Sequence, residues 1–189
     1  GYECFDIYGD SDHQTPQITQ MASEGMKFTN FHSQPLCTPS RVQIMSGQYN
    51  HRNGTTFGDY EADKCFGTFF KQAGYVTCVA GKWQLDYRTS GDPATNPALP
   101  QRVIDLGFDE FLLWNISGGS SSYYGSRYWS PKLYTNPATP GGNFTVIDGT
   151  SEQYGPTLVR EFINDLITNA AAASATFFAY CPPVDPHAP

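Results

Sequence analysis

Cys37 and Arg41 have the residue types and the spacing that best suit chemistry in this chain. Apolar side chains and then Gly47 follow them. The spacing therefore predicts a short helix with Thr38 as its N-cap, Pro39 as its first residue and Gly47 at its end. Cys37 would lie at the positive end of the helix dipole, and Arg41, four residues later, would add a guanidinium on the same face. The pattern indicates a sulfur nucleophile beside an anion-binding pocket.

Cys37, Lys82 and His187 each follow a predicted strand. The strands are predicted at 26–31, 75–80 and 176–181, and the helix before each of them at 16–24, 63–73 and 153–172. This alternation predicts an α/β fold in which a largely parallel sheet is flanked by helices. Because ligands bind at the carboxyl ends of parallel strands, we expect the three side chains to converge at one edge of the sheet.

Residues 86–150 are rich in Gly, Ser, Pro, Tyr and Asn, a composition typical of loops. A short helix at 102–106 and a strand at 108–114 are predicted within them, and the rest is predicted to be loop. Loops of this length usually serve function, so we expect a substrate-shaping insertion within a single domain that covers 1–189. Four of its aromatic side chains either form a sugar- or aromatic-binding wall or pack the loop onto the body: Tyr123, Tyr124, Tyr128 and Trp129.

The composition excludes several classes of protein. A chain of 189 residues that is 39% hydrophobic and 15% aromatic can build one substantial core and is unlike a disordered chain. Its net charge of -7 argues against nonspecific nucleic-acid binding. No apolar run approaches the roughly 20 residues of a membrane span. Cys78 and Cys181 lie in apolar segments and are predicted to be buried free thiols, with disulfides as the alternative for an exported protein.

Residues 37–41, Cys-Thr-Pro-Ser-Arg, resemble the Cys-x-Pro-Ser-Arg signature of type I sulfatases. Other landmarks of that family occur in the expected order. Residues 15–31 look like its first helix and second strand, and 46–54 look like the segment after the signature helix. Gly-Lys-Trp-Gln-Leu at 81–85 is similar to a second signature, usually Gly-Lys-Trp-His-Leu, and 185–189 are similar to a Pro-His-x-Pro motif. The set spans nearly the whole chain and implies an alkaline-phosphatase-like fold.

The resemblance also implies a mechanism and roles for individual residues. In that family the signature cysteine is oxidised to formylglycine, whose hydrate attacks the sulfur of a sulfate ester and later expels sulfate. Cys37 is thus implied as the precursor of the nucleophile, and Arg41 as the cation that holds the formylglycine oxygen and its local negative charge. Lys82 would bridge the sulfate and the formylglycine hydroxyl, and His187 would contact the sulfate and help to protonate the leaving oxygen.

Gln84 is the main departure from the family pattern. The family usually has a histidine here, which deprotonates the diol, whereas a glutamine side chain orients groups by hydrogen bonds and cannot act as a base. Three explanations follow: another residue supplies the base, the second half-reaction is slow, or the protein is catalytically impaired. The first is favoured.

The family's metal is calcium, and in this chain Cys37, once converted, is the position that matches a metal contact. The resemblance places most calcium ligands outside these residues, so we expect an N-terminal part truncated at both ends that is inactive alone. It further implies a sulfated small molecule or glycan as substrate and a formylglycine-generating or anaerobic maturation enzyme as partner. The implied location is periplasmic, secreted or lysosomal.

Three other functions compete with a sulfatase. A phosphoester or phosphonate hydrolase of the same superfamily would share the fold and the pocket. The presence of Gln84 is the best support for the second alternative, a binding protein that kept the fold without the activity. A cysteine phosphatase is disfavoured, because its loop separates thiolate and arginine by six residues with glycine between them, whereas here the spacing is four with Pro39 inside.

Overall fold

The computed structural model describes residues 2–9, 12–53, 65–85, 93–114 and 126–185. Contacts divide the chain into two compact units, 1–34 and 35–189. The helices are α1 Pro16–Glu24, α2 Cys37–Ser46, α3 Asn50–Asn53, α4 Phe66–Gln72, α5 Ala98–Asp105 and α6 Gly155–Ala172, with short 3-10 turns at Tyr2–Cys4, Asp6–Tyr8 and Pro93–Thr95. The strands are β1 Val76–Lys82, β2 Glu110–Trp114, β3 Lys132–Thr135, β4 Thr145–Asp148 and β5 Phe177–Tyr180.

The first unit is a helix held to the two turns before it. The carboxylate of Asp6 accepts hydrogen bonds from the hydroxyl groups of Thr15 and Thr19, which fixes the start of α1. α1 has the predicted bounds, but the strand predicted at 26–31 is wrong. A strand needs a hydrogen-bonded neighbour, and the described residues of this unit contain none. Its apolar side chains Met26, Phe28 and Phe31 are instead exposed.

The second unit is built on a five-stranded sheet of order β4-β3-β2-β1-β5. β1 pairs in parallel with both β2 and β5, while β3 and β4 add an antiparallel hairpin at one side. The predicted α/β fold with a sheet flanked by helices is confirmed, and the sheet is mixed, with two parallel and two antiparallel pairings. The hairpin corrects the expectation that the rest of 86–150 is loop: two strands of four residues each are short enough to leave little periodicity in the sequence.

Helices cover both faces of this sheet. On one face Val79 and Phe111 pack with Val42 of α2 and Val103 of α5. On the other, a second cluster joins the sheet to α6: Cys78, Ala80, Leu112, Trp114, Leu133, Val159 and Leu166. Because both faces are covered, β1 is buried at every position from Thr77 to Lys82, as expected for a central parallel strand.

The remaining predictions are mostly confirmed, with shifted boundaries. The short helix predicted at 102–106 is α5, which begins at Ala98, and the three strands predicted at 75–80, 108–114 and 176–181 are β1, β2 and β5. Tyr128 stacks on Tyr154, with ring centroids 5.9 Å apart, and Trp129, which is 58% exposed, lies 5.1 Å from the same ring. Tyr123 and Tyr124 lie outside the described residues.

All five cysteines have free thiols. Cys78 is buried as predicted, whereas Cys181 is exposed because it follows the end of β5. In the described part of the chain, no helix combines the length and the apolar character needed to cross a bilayer.

Candidate active site

Cys37 is the first residue of α2, and its side chain is exposed. The N-cap is Leu36, whose extended backbone precedes the helix, so the prediction of Thr38 as N-cap is wrong. The Thr38 hydroxyl instead donates a hydrogen bond to the backbone oxygen of Gln84 at 3.3 Å. Gly47 ends the helix in a left-handed conformation, as predicted. The thiol thus lies at the positive end of the helix.

Lys82 is the last residue of β1, at the carboxyl end of the sheet. Its side chain is only 6% exposed, and its Nζ donates a hydrogen bond to Cys37 Sγ at 3.3 Å. Burial lowers the pKa of the Lys82 ammonium, while the bond to Cys37 opposes that shift. The structure therefore brings together two of the side chains that the sequence predicted at one edge.

Arg41 joins α2 to the end of β1. Its Nη1 donates to the backbone oxygens of Lys82, at 3.2 Å, and of Trp83. Its Nη2 donates to the Thr38 hydroxyl at 3.4 Å, and the residue is 8% exposed. Burial lowers the pKa of the Arg41 guanidinium. Arg41 therefore positions the helix through the backbone of β1 and also places a positive charge near Cys37.

The Cys37 thiol is a stronger acid than an ordinary cysteine. Partial desolvation opposes its ionisation, but the hydrogen bond from Lys82 and the charges of Lys82 and Arg41 outweigh it, and the pKa lies below the usual value. The same two cations would stabilise any anion that forms at or approaches this position.

Gln84 lies beside the thiol in an unusual backbone conformation. Its φ is +49°, and its Oε1 is 4.0 Å from Cys37 Sγ, within reach of a weak S–H donor. The side chain therefore faces the position where the nucleophile would form. Its amide can accept or donate a hydrogen bond there but cannot take up a proton.

His187 lies outside the described residues, which end at 185. Its predicted role as a sulfate contact and acid stays a prediction. The chain segment that leads to it is described as far as Asp185 and follows β5, the neighbour of β1 in the sheet.

Gly81 is required where β1 ends. Its φ is +127°, and a Cβ added there would lie 2.1 Å from the backbone oxygen of Pro182. That same oxygen accepts a hydrogen bond from Lys82 N at 2.8 Å. The close approach of the two chains holds the backbone of Lys82 in place, so glycine is the residue that lets the ammonium reach Cys37.

Sequence reasoning missed one cation. The guanidinium carbon of Arg127 lies 4.6 Å from the centroid of the Trp114 ring, and its charge adds to the lowering of the Lys82 pKa, after burial and the charge of Arg41. Arg127 belongs to a Gly- and Ser-rich segment without a recognisable motif, and its neighbourhood depends on the pairing of β1 with β2. The sequence contained no local signal for it.

The described residues do not fit a calcium site. The side chains beside Cys37 are cationic, and among the residues that the structure describes no three histidine, cysteine or carboxylate side chains come together as metal ligands would. Calcium prefers six to eight oxygen ligands with carboxylates among them, and the carboxylates of the described residues are not gathered in this way.

Replacing Lys82 with methionine is expected to raise the pKa of the Cys37 thiol, because the variant loses both the hydrogen bond to sulfur and a positive charge. The rate of alkylation of unconverted Cys37 by iodoacetamide, followed by peptide mass spectrometry, should then rise at higher pH than in the parent protein. Lys132→Met, on β3, is the matched control, and Cys181 in the same sample is the internal reference. An unchanged pH profile would show that the ammonium does not stabilise the thiolate.

Comparison with known proteins gives consistent results. The sequence model of the family described as Sulfatase matches residues 1–189. Human N-acetylgalactosamine-6-sulfatase is 30% identical over 157 residues, which cover 74% of this chain and 26% of that protein. N-acetylglucosamine-6-O-sulfatase of Bacteroides thetaiotaomicron is 31% identical over 131 residues, which cover 67% of this chain and 21% of that protein. The chain thus matches about a quarter or less of the length of these two relatives.

Solved structures show the same fold. Ps i-CgsB superposes with a TM-score of 0.72 at 21% identity, over 100% of this chain and 43% of that one. A structure of BT4656 in complex with its substrate, D-glucosamine-2-N,6-O-disulfate, superposes with a TM-score of 0.65 at 25% identity, over 98% of this chain and 32% of that one.

Proposed function

The chain belongs to the sulfatase family, and from this premise we propose that the whole protein hydrolyses sulfate esters through a formylglycine made from Cys37. The observation that carries the proposal is the bond between Lys82 Nζ and Cys37 Sγ at 3.3 Å, with Arg41 buried beside it. A nucleophile at position 37 would meet its anionic substrate between these two positive charges.

The proposed reaction uses the position that Cys37 occupies at the start of α2. The hydrated aldehyde supplies two hydroxyl groups on one carbon: one attacks sulfur and displaces the alcohol, and the other releases sulfate and restores the aldehyde. Lys82 lies where it can neutralise the charge on the sulfate oxygens during attack. Arg41 keeps α2 and β1 in register, so the nucleophile and the ammonium stay within bonding distance.

Deprotonation of the diol needs a base other than Gln84, because an amide cannot take up a proton. We assign Gln84 to orienting the diol through its amide, because Oε1 already lies 4.0 Å from the thiol sulfur. His187 keeps the role of protonating the leaving oxygen, as an expectation from the family motif.

The remaining features are proposed with the activity. Residues 1–189 would form one part of a single catalytic domain, with 86–150 as the insertion that shapes the substrate site. The substrate class is a sulfated sugar, since relatives named for N-acetylgalactosamine and N-acetylglucosamine sulfates match this chain. Calcium would be held mainly by residues beyond those described, and a maturation enzyme acting on Cys37 would have to share its compartment, in the periplasm, a lysosome or the secreted space.

The proposal is tested by mass spectrometry of the peptide that contains Cys37. The full-length protein is produced together with a formylglycine-generating enzyme, and the peptide should carry an aldehyde that reacts with a hydrazide probe. Two of the four other cysteines, Cys4 and Cys181, serve as controls, and their peptides should keep their thiols. An unmodified Cys37 under these conditions would favour the alternative of a binding protein with the sulfatase fold.

A panel of substrates distinguishes a sulfatase from a phosphoester or phosphonate hydrolase with the same pocket. The purified protein is assayed with 4-nitrophenyl sulfate, 4-nitrophenyl phosphate and a phenylphosphonate ester, and faster turnover of either phosphorus ester would overturn the assignment to sulfate.

A further inference from the structure

A cavity of about 270 Å³ lies beside the candidate active site. It is bounded by α6, by Gly81 at the end of β1 and by Trp114 at the end of β2. Most of its lining is apolar, and its charged residues are Arg127, Arg160 and Asp185. Ligand pockets generally measure roughly 300–1,000 Å³, so this space suits one ring rather than a chain of several sugars.

The pairing of β1 with β2 connects this cavity to the reactive group. Lys82 and Trp114 are direct partners in the parallel register, so their side chains emerge from the same face at the same edge of the sheet. The guanidinium of Arg127 lies against the Trp114 ring at 4.6 Å. The side chain of Trp114 therefore separates Arg127 from the ammonium of Lys82, which contacts Cys37.

The position of Arg127 is fixed by its backbone. Gly155 N, at the start of α6, donates to the backbone oxygen of Tyr128 at 2.6 Å. A Cβ added to Gly155 would lie 2.2 Å from the backbone oxygen of Arg127, so the two segments touch. An arginine whose backbone is held in this way loses little backbone freedom when it binds an anion.

Arg127 is also available. Among the described residues its guanidinium forms no ion pair, and it lies 4.6 Å from the centroid of the Trp114 ring. Asp185, the carboxylate among the described residues of the lining, interacts with the hydroxyl of Tyr128 instead. Arg160 differs, because it is exposed and lies 3.8 Å from Glu161. A half-buried cation beside Lys82 raises the electrostatic energy of the empty site, and a bound anion would lower it.

We propose that the cavity receives the ring of a sulfated sugar and that Arg127 binds a second anionic group on it, a carboxylate or a further sulfate. The proposal rests on the proposed function, in which the reacting sulfate lies against Lys82 and Cys37. It makes the protein selective for sugars that carry two negative groups. The planar fork of an arginine suits either anion, because both present two oxygens to paired N–H donors.

The test compares affinities of the full-length protein for two matched pairs of sugars, by calorimetry. One pair is glucosamine 6-O-sulfate and glucosamine 2-N,6-O-disulfate, and the other is a monosulfated neutral hexose and the corresponding monosulfated uronic acid. The parent protein should bind the sugar with the extra anion about tenfold more tightly in at least one pair, as a charge-assisted hydrogen bond would give. Arg127→Gln should remove that preference, and Arg160→Gln, on the rim of the same cavity, should keep it.

Arg127→Lys provides a second variant that keeps the charge without the fork, and it should retain part of the preference. A preference that is absent from the parent protein in both pairs, or that persists in Arg127→Gln, would overturn the proposal. Hydrolysis of the monosulfated sugars is measured separately. If neither is hydrolysed but the preference depends on Arg127, the enzymatic function fails while the second anion site stands.

Discussion

Replacing Cys37 with alanine is expected to lower sulfate-ester hydrolysis by the full-length protein on the order of 10⁴-fold. Alanine cannot be converted to an aldehyde, so the covalent route is lost, while Lys82 and Arg41 remain to bind the substrate. The variant should therefore lose kcat far more than affinity. The kcat of each protein is measured by steady-state kinetics with 4-nitrophenyl sulfate. The affinity of the variant for the same ester is measured by calorimetry and compared with the KM of the parent.

The matched control is Cys4→Ala, which removes a thiol from the first unit and should keep the parent rate. Activity within tenfold of the parent in Cys37→Ala would mean that another group attacks sulfur. That result would remove the formylglycine mechanism and leave the cationic pocket as an anion-binding site.

Replacing Gly81 with alanine is expected to destabilise the protein by roughly 3–5 kcal/mol, because the new Cβ causes both backbone strain and a steric overlap. It must occupy a φ of +127°, and it would lie 2.1 Å from the backbone oxygen of Pro182. Relief of that overlap requires β1 and the segment after β5 to separate, which also breaks the hydrogen bond from Lys82 N. The measurement is the midpoint of urea unfolding, followed by circular dichroism.

Gly141→Ala separates the two causes of this loss. Gly141 also has a positive φ, +75°, but an added Cβ would meet nothing within 4 Å. This variant should therefore lose only the stability that corresponds to backbone strain, about 1 kcal/mol. Equal losses for the two variants would show that the chains at Gly81 and Pro182 are not in close contact in solution.

The sequence predicted the elements whose signals are local. α1 has a proline in its first turn and a glycine after its end, and β1 and β5 are largely apolar runs that each follow a helix, so their positions follow from short stretches of sequence. Lys82 was placed at the site by the same reasoning, because it directly follows an apolar strand.

The features that were missed depend on partners distant in the sequence. The segment 26–31 has the composition of a strand, but composition cannot supply the neighbour that a strand needs. β3 and β4 are four residues each and are recognised through their pairing with one another and with β2. Arg127 gained significance only through the register of Lys82 with Trp114, which no local pattern reveals.

The hydrogen bond from Lys82 N to Pro182 O has a consequence for the order of events during protein synthesis. Pro182 follows Cys37 by 145 residues in the chain. At about 5–20 residues per second, a ribosome takes roughly 7–30 s to make that stretch. Until then β1 lacks its β5 neighbour, so the edge that holds the ammonium against the thiol is incomplete. The contact between the Lys82 ammonium and the Cys37 thiol therefore reaches its final form only after this interval, well after Cys37 itself has been made.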